Sequence, residues 1–306
     1  MAIDTYLRQI ARGARGARDL ERIAARDLFA QVLDRQASDL EIGAFCVAMR
    51  IKGESPGELA GFYDEVKARL PALRTSRPVI LLPSYNGARK TTLMTPLLAR
   101  LLSCRGYAVL VHGLHEEQRR TGSEDVFAAM QWPVACDQQS IERHLEGDGL
   151  VYCSLEVLCP DLAALLRIRR TIGLRNSGHV LAKLVNPMQS RALQIVNYTH
   201  PEYPAVLEAF FGLHPANAVF MRGHEGEPVP GPRRLPELVG RIDALPIHTE
   251  PRFFDTTPAI GDADISVQAT AALYRRALSE SEAVPPELTA MVQTIEEIFP
   301  ATSSTR

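Results

Sequence analysis

Residues 77–113 restrict the fold of this chain more than any other segment. The apolar run at residues 79–82 ends at Pro83 and is typical of a strand that is buried on both faces. Leucines at helical spacing fill residues 92–103, and a second apolar run follows at residues 107–111. This order predicts a right-handed βαβ unit of a parallel sheet, in which the loops after both strands share one sheet edge.

The pattern continues beyond this unit. Further strands are expected at residues 149–153, 192–197 and 218–221, and helices at residues 161–172, 204–211 and 267–278. Together these segments predict an α/β domain with a central, mostly parallel sheet over residues 76–306.

The first 75 residues have the pattern of amphipathic helices instead. Apolar positions recur at spacings of three and four in residues 20–32. Asp39 is expected to cap a second helix, and Ser55, with Glu58 three positions later, predicts a capping box for a third. At about 150 residues per domain, a chain of 306 residues is expected to divide into a small helical domain at residues 1–75 and the α/β domain.

Several classes of protein are excluded by the same sequence. No segment is apolar over the length that a bilayer requires, and residues 1–35 are too rich in charge for a signal peptide. The five cysteines are odd in number and lack CxxC spacing, which predicts reduced thiols rather than disulfides or a zinc site. The sequence therefore predicts a cytoplasmic protein with no membrane partner and no metal.

The charge is nearly balanced overall but unevenly distributed. Of 34 basic residues 30 are Arg, and the formal net charge is −2. Residues 74–122 contain eight basic and two acidic side chains, whereas residues 223–306 contain seven basic and 13 acidic ones. Near-neutrality argues against bulk coating of nucleic acid. The Arg-rich middle of the chain predicts a site for phosphate or another anion, because the guanidinium fork matches phosphate oxygens.

The loop at residues 83–92 is the first candidate for such a site. It follows a strand and contains Gly87, Arg89 and Lys90, but it lacks the first glycine and the Gly-Lys step of a P-loop. Backbone N–H groups of this loop, together with the two cations, are expected to favour a phosphate. The alternative is a solvated turn with Asn86 and Gly87 at its corner.

The loop after the next strand is the second candidate. Arg119 and Arg120 are expected to reach the same crevice as Arg89, while His112 and His115 are expected to be ordinary loop histidines rather than catalytic groups.

Residues 167–183 form the third candidate. Arg169 and Arg170 fit a solvated helix face, whereas Arg175 follows the turn at Gly173 and is expected to point into a pocket. Lys183 lies a little further along the chain.

Glu225 and Glu227 form the fourth candidate, after the strand at residues 218–221. Two carboxylates one residue apart are compatible with a metal, but a polar loop is the favoured interpretation, because no further acidic ligand lies close in sequence.

These segments, in this order, resemble the anthranilate phosphoribosyltransferase family, glycosyltransferase family 3. The similarity begins in residues 39–61, with the segments IGAF, AMR and KGE, and runs to about residue 278. The resemblance implies a small helical domain, a large α/β domain with a central sheet, and a homodimer formed through the helical domain. In the family, phosphoribosyl pyrophosphate binds between the domains.

The departures from the family pattern concern its donor-binding motifs. A Gly-Thr-Gly-Gly-Asp loop, which wraps the pyrophosphate in the family, is replaced by PSYNGA at residues 83–88. Added Cβ atoms stand where backbone must approach phosphate closely. The family's Asp-Glu pair for magnesium falls at Glu225 and Glu227, with no Asp, and the Arg that contacts anthranilate is retained as Arg175.

The replacements themselves resemble the YbiB branch of the family, in four separate motifs at residues 83–90, 175–184, 200–203 and 223–227. That resemblance implies a homodimer that binds nucleic acid, preferably single-stranded and with little sequence specificity, on a degenerate transferase scaffold. No catalytic residue and no cofactor are expected. The residues expected to contact phosphate or nucleic acid are Tyr85, Asn86, Gly87, Arg89, Lys90, His112, Arg119, Arg120, Arg169, Arg170, Arg175 and Lys183, with Tyr85 or His115 stacking on a base.

The alternative is a phosphoribosyltransferase or other pentosyltransferase with an altered donor or acceptor. Phosphoribosyl pyrophosphate and Mg²⁺ belong to this alternative alone. It is disfavoured because the donor loop and the magnesium carboxylates are both altered.

Overall fold

A computed structural model describes residues 3–13, 15–114, 120–201, 203–255, 265–280 and 283–301. The predictions for His115 and Arg119 lie outside the described residues. The strands are β1 Val79–Ser84, β2 Ala108–Gly113, β3 Val134–Ala135, β4 Leu150–Ser154, β5 Ala192–Tyr198, β6 Asn217–Arg222, β7 Arg234–Leu235, β8 Val239–Ile242, β9 Leu245–His248 and β10 Arg252–Phe253.

Eight of these strands form one sheet, in the order β3-β4-β2-β1-β5-β6-β8-β9. The pairs from β3 to β6 are parallel, and β8 and β9 extend the sheet as antiparallel strands. The predicted α/β class with a mostly parallel sheet is confirmed, as is the parallel pairing of β1 with β2. Strands β7 and β10 pair separately.

Helices cover both faces of the sheet. They are α1 Asp4–Ile10, α2 Arg22–Leu33, α3 Asp39–Lys52, α4 Pro56–Arg69, α5 Thr95–Ser103, α6 Ser123–Ala129, α7 Gln138–Glu146, α8 Leu155–Leu158, α9 Pro160–Arg167, α10 Arg169–Ile172, α11 Gly178–Leu184, α12 Tyr203–Leu213, α13 Val267–Ser279 and α14 Pro286–Ile298. Alternate residues of β1 enter opposite cores, because successive side chains of a strand point to opposite faces. Val79 and Leu81 join the core under α1–α4, and Ile80 and Leu82 join the core under α5, α13 and α14.

The helical part of the chain is built around three aromatic rings. Phe29 of α2 stacks on Phe62 of α4 with ring centroids 4.7 Å apart, and Phe45 of α3 packs edge-on against both. These rings are 0% exposed. The last of these helices ends at Arg69 and β1 begins at Val79. The boundary predicted between residues 75 and 76 falls within that connection and stays a prediction.

Helix starts differ from the sequence prediction at three places. Ser38, not Asp39, caps α3, because its hydroxyl accepts from Glu41 N while the Glu41 carboxylate accepts from Ser38 N. The helix expected from residue 92 begins at Thr95, with Pro96 in its first turn. The helix expected over residues 161–172 is divided into α9 and α10 at Ile168.

Strand β1 includes Pro83, where the sequence predicted that the strand would end. Its pairing with β5 covers only residues 79–81, although pairing with β2 continues to Ser84. Pro83 lacks an N–H, and it is tolerated here because one of the two ladders has already ended.

Two features bear on the cysteines and on membrane insertion. All five cysteines are free, with three buried and Cys104 and Cys136 exposed. Across the described ranges, no helix combines the length and the apolar character needed to cross a bilayer.

The predicted capping box at Ser55 is confirmed, and it is part of a buried ionic network. Glu58 is 0% exposed, accepts from Ser55 N at 2.9 Å and from Leu20 N at 3.0 Å, and pairs with Lys52 Nζ at 2.6 Å. Lys52 also pairs with Asp19 at 2.5 Å. One carboxylate thus joins the start of α4, the end of α3 and the segment before α2.

Replacing Glu58 by Ala is therefore expected to destabilise the protein by about 3–5 kcal/mol, because it leaves a buried ammonium and two backbone N–H groups without this partner. Urea denaturation followed by circular dichroism measures the loss. E41A is the matched control, since Glu41 holds the same position in a solvent-exposed capping box. An equal loss for the two variants would contradict this role of Glu58.

Candidate functional site

The candidate site lies where the order of the sheet reverses. From β1 the chain proceeds outward through β2 on one side and through β5 and β6 on the other. The carboxyl ends of β1, β5 and β6 therefore meet at a topological switch point, where open α/β sheets bind ligands. Loops 85–94, 199–201 and 223–227 follow these ends.

Glu227 holds two of these loops together. It is 2% exposed. Its carboxylate accepts from Asn86 N and Gly87 N, each at 2.9 Å, and from the hydroxyls of Ser84 at 2.6 Å and Thr95 at 2.7 Å. Four donors satisfy the buried charge, as a buried carboxylate requires.

Glu225 continues the same arrangement toward the surface. Its carboxylate accepts from Arg89 N at 2.8 Å and from Lys90 N at 3.0 Å. The expectation that loop N–H groups await a phosphate is thereby corrected: in this structure they bind carboxylates of the protein itself. Glu225 and Glu227 lie in a polar turn, as the favoured interpretation had it, and both carboxylates accept from the loop after β1.

The turn that carries the two carboxylates needs a glycine. Gly226 has φ +85°, and a Cβ there would collide with the Asn86 amide. The Gly226 carbonyl accepts from Asn86 Nδ2 at 2.7 Å and from Asn197 Nδ2 at 2.6 Å. Glu225 itself has φ 51°, a conformation that only a few per cent of non-glycine residues adopt. The turn is thus held by β5 and by the loop after β1.

Asn86 also connects this turn to the arginines. Its side-chain oxygen accepts from Arg175 Nη2, and its carbonyl accepts from Arg120 Nη1 at 3.3 Å. The structure therefore brings Asn86, Arg120 and Arg175 together.

Three cations surround His179. Burial, followed by the positive charges of Arg175, Arg169 and Lys183, lowers the pKa of His179 to about 3. Burial, followed by the charge of Arg175, lowers the pKa of Lys183 to about 8, although Glu227 acts in the opposite direction. Lys183 donates to the Asn197 carbonyl at 3.2 Å. We call Arg169, Arg175 and Lys183 the cation cluster.

An open cleft beside the cation cluster separates the helical part from the sheet edge. It consists of two adjoining cavities of about 120 Å³ and 380 Å³. Residues that line it include Arg50, Arg175, His179, Lys183, His200 and Tyr203. Sequence analysis gave Arg50 no role. Its position in the AMR segment shared with the family was the available signal.

The other predicted contacts are distributed unevenly. Arg89, Lys90 and Arg170 are exposed. His112 is 0% exposed in strand β2, and burial lowers its pKa to about 3. Its Nδ1 lies 2.8 Å from the Tyr85 hydroxyl. The prediction that His112 contacts nucleic acid is therefore corrected, because β2 continues to Gly113 and encloses the ring. The predicted stacking of Tyr85 meets the same obstacle, since its ring is half-buried against His112.

The site does not fit the phosphoribosyl pyrophosphate and magnesium of the family. The loop N–H groups and both carboxylates are bonded to each other, so neither the phosphate donors nor the magnesium ligands are available. In the part of the chain that the structure describes, no group of three or more His, Cys, Asp or Glu side chains is arranged to hold a metal.

The fold and the site together define a phosphoribosyltransferase-like protein with an altered donor site. Residues 4–69 match the model of the glycosyl transferase family, helical bundle domain. The crystal structure of anthranilate phosphoribosyltransferase from Thermus thermophilus superposes with a TM-score of 0.72 at 20% identity, covering 98% of this chain and 89% of that chain. The yeast enzyme from Saccharomyces cerevisiae, in complex with PRPP and Mg, gives a TM-score of 0.66 at 14% identity, covering 91% and 80%.

Sequence relatives agree with this fold. The protein YbiB of Escherichia coli strain K12 is 38% identical over 236 residues, which span 76% of this chain and 74% of YbiB. Anthranilate phosphoribosyltransferase of Anaeromyxobacter dehalogenans strain 2CP-C is 30% identical over 67% of this chain, but the match spans only 61% of that enzyme. The chain belongs to the anthranilate phosphoribosyltransferase-like proteins of glycosyltransferase family 3, in the branch that contains YbiB.

The lowered pKa of Lys183 can be tested directly. In protein labelled with ¹³C-lysine, only four lysines contribute signals. One is expected to titrate near pH 8, against about 10.4 for an ordinary lysine. R175Q should raise this pKa, because a like charge is removed, but leave it below the ordinary value, because burial remains. R105A, at the opposite edge of the sheet, should leave it unchanged. A Lys183 that titrates as an ordinary lysine would contradict the cluster.

Proposed function

We propose that this protein is a non-catalytic, nucleic-acid-binding homodimer that prefers single strands and has little sequence specificity. The observation that carries the proposal is the cation cluster, which lies beside a phosphate-type loop whose own N–H groups are already occupied. The N–H groups of this loop bind Glu225 and Glu227, so we assign anion binding to the cationic side chains beside the loop.

The electrostatics of the cluster favour an anionic partner. Arg169, Arg175 and Lys183 lie close enough to lower the pKa of His179 together, and Arg175 lowers that of Lys183. Positive charges gathered in this way raise the local concentration of anions, which suits an anionic partner. Arg50, which is exposed and makes no ion pair with any described residue, adds positive charge across the cleft.

An extended polyanion suits this geometry better than a small phosphate ester. Arg50 of α3 and Arg175 line one cavity, and Arg175 donates to Asn86 of the loop that also carries the exposed Arg89 and Lys90. A sugar-phosphate backbone presents charges at intervals along such a path, and binding then comes mainly from counterion release rather than base recognition.

Aromatic side chains in the cleft suit unpaired bases. Tyr198, His200 and Tyr203 line the smaller cavity, with the His200 and Tyr203 rings 6.3 Å apart. Base stacking on aromatic rings is tolerant of sequence and requires an unstacked base. We propose that these rings stack on bases instead of Tyr85, whose hydroxyl is bonded to His112. They support a preference for single strands.

The free thiols also fit the proposal of a cytoplasmic protein. Cys104 and Cys136 are exposed and unpaired, as is usual in a reducing compartment.

Formation of a homodimer is supported by an apolar stripe on α3. Leu40, Ala44, Val47 and Ile51 are exposed at helical spacings of four, three and four residues. Leu40 is 83% exposed and Ile51 is 72% exposed. Such a one-sided stripe is the pattern of a helix that packs against a partner, and a second copy of the helical domain is the proposed partner.

Binding is tested by fluorescence anisotropy with labelled single-stranded DNA at several salt concentrations. Affinity should fall steeply with salt, at about 0.7 in log K per log salt for each phosphate contact. The variant R50A/R169A should weaken binding and reduce this slope by about 1.4, because two contacts are removed. Mixed-sequence and homopolymer strands should bind within a small factor of each other.

R105A is the matched control, because Arg105 is exposed at the opposite sheet edge and pairs with Glu296. It should bind like the unaltered protein. Absence of binding, a slope insensitive to R50A/R169A, or an equal effect of R105A would count against the proposal.

The dimer is tested separately by light scattering after gel filtration. The unaltered protein should show about twice the chain mass of 33.7 kDa, and V47E/I51E should show the chain mass alone, because a buried unpaired carboxylate opposes association. L245E is the control, since Leu245 is an exposed apolar residue too, at 67%, but lies on β9. A monomeric unaltered protein, or a dimer that survives V47E/I51E, would contradict this part of the proposal.

A further inference from the structure

We propose that the turn at residues 223–227 supplies a resident anion, so that its two carboxylates close a phosphate site in this protein and exclude small phosphates and diphosphate. The site is formed by the donors of residues 84–95 and reopens to a phosphoryl group when a carboxylate is removed. The proposal does not depend on nucleic-acid binding, and either can fail without the other.

The donors form a cradle of the kind that binds anions. Backbone N–H groups of Asn86 and Gly87 converge on one oxygen of Glu227, and those of Arg89 and Lys90 converge on Glu225. Successive backbone N–H groups aimed at one point make an anion-binding concavity. The hydroxyls of Ser84 and Thr95 complete the set.

The two carboxylates differ in how firmly they are held. Glu227 is 2% exposed and bonded by four donors, so it is a permanent part of the fold. Glu225 is only half-buried and is held by two N–H groups beside the exposed side chains of Arg89 and Lys90. Glu225 is therefore the member that can be removed without opening the core.

Charge and geometry identify the ligand class. A phosphoryl oxygen accepts from the same donors as a carboxylate oxygen, and such charge-assisted bonds are short and strong. Removing the Glu225 carboxylate leaves two N–H donors, with Arg89 and Lys90 adjacent. This combination is suited to inorganic phosphate or one end of a diphosphate.

The resident carboxylate has a large advantage over a free ligand. Glu225 is carried on the same chain as the loop, so its binding to the loop N–H groups is intramolecular and involves no loss of translational freedom. A free phosphate must displace this carboxylate and also approach its negative charge. The unaltered protein is therefore expected to leave the site closed to millimolar phosphate or diphosphate.

The backbone amide of Lys90 reports on the site directly. With ¹⁵N-lysine labelling only four backbone amides are visible, and that of Lys90 donates to Glu225. In E225A this resonance should move upfield, because a charge-assisted hydrogen bond is lost. Inorganic diphosphate should return it downfield in E225A, with an affinity about tenfold or more above that of the unaltered protein. Parallel titrations with phosphate and with Mg²⁺-diphosphate determine which form binds.

E237A is the matched control, because it removes an exposed carboxylate of equal charge outside the cradle. It should leave the Lys90 resonance and the diphosphate affinity unchanged. The proposal is overturned if E225A leaves the Lys90 resonance in place, if E225A gains no affinity for diphosphate, or if the unaltered protein responds at Lys90 as strongly as the variant. Because Glu225 is half-buried, E225A is expected to fold, and unfolding by urea checks this.

Discussion

The buried carboxylate of Glu227 is the interaction on which the site depends. It accepts hydrogen bonds from two backbone N–H groups of the loop after β1. It also accepts from the hydroxyls of Ser84, before this loop, and Thr95, after it. An unpaired charge at this depth costs several kcal/mol, so loop and carboxylate must fold as one unit. Their pairing joins the ends of β1 and β6, two strands that are separated in the sheet by β5.

The turn that carries Glu227 also makes contacts that position neighbouring side chains. The turn that carries Glu227 places the Gly226 carbonyl against Asn86 and Asn197, and Asn86 in turn receives Arg175. Arg175 is thereby held close to Lys183. Burial of Lys183, followed by the positive charge of Arg175, keeps the pKa of the Lys183 ammonium low. The turn that carries Glu227 is thus also connected, through Asn86, to Arg175 of the cation cluster.

Sequence reasoning predicted the parts of this arrangement that local pattern controls. The run at residues 79–82 identified β1, and the rule that parallel strands end at one edge predicted that the loops after β1 and β2 would share that edge. The partners of Glu225 and Glu227 lie 132–143 positions away, and no periodicity predicts such a contact. His112 was misplaced for a smaller reason: β2 runs two residues further than its apolar run, which buries the ring.

The net charge of the chain does not reveal the group of cations at the cleft. The chain has a formal charge of −2, yet Arg50, Arg169, Arg175 and Lys183 line or adjoin one cleft. With a Debye length of about 8 Å at physiological ionic strength, acidic groups on remote surfaces are screened from that cleft. Of the carboxylates near the cleft, Glu225 and Glu227 accept from the loop after β1, and Glu54, which lines the larger cavity, accepts from Ser177. Because Arg50 belongs to α3 and the other three to the segment from α10 to α11, these cations come together only where the two parts of the chain are packed together.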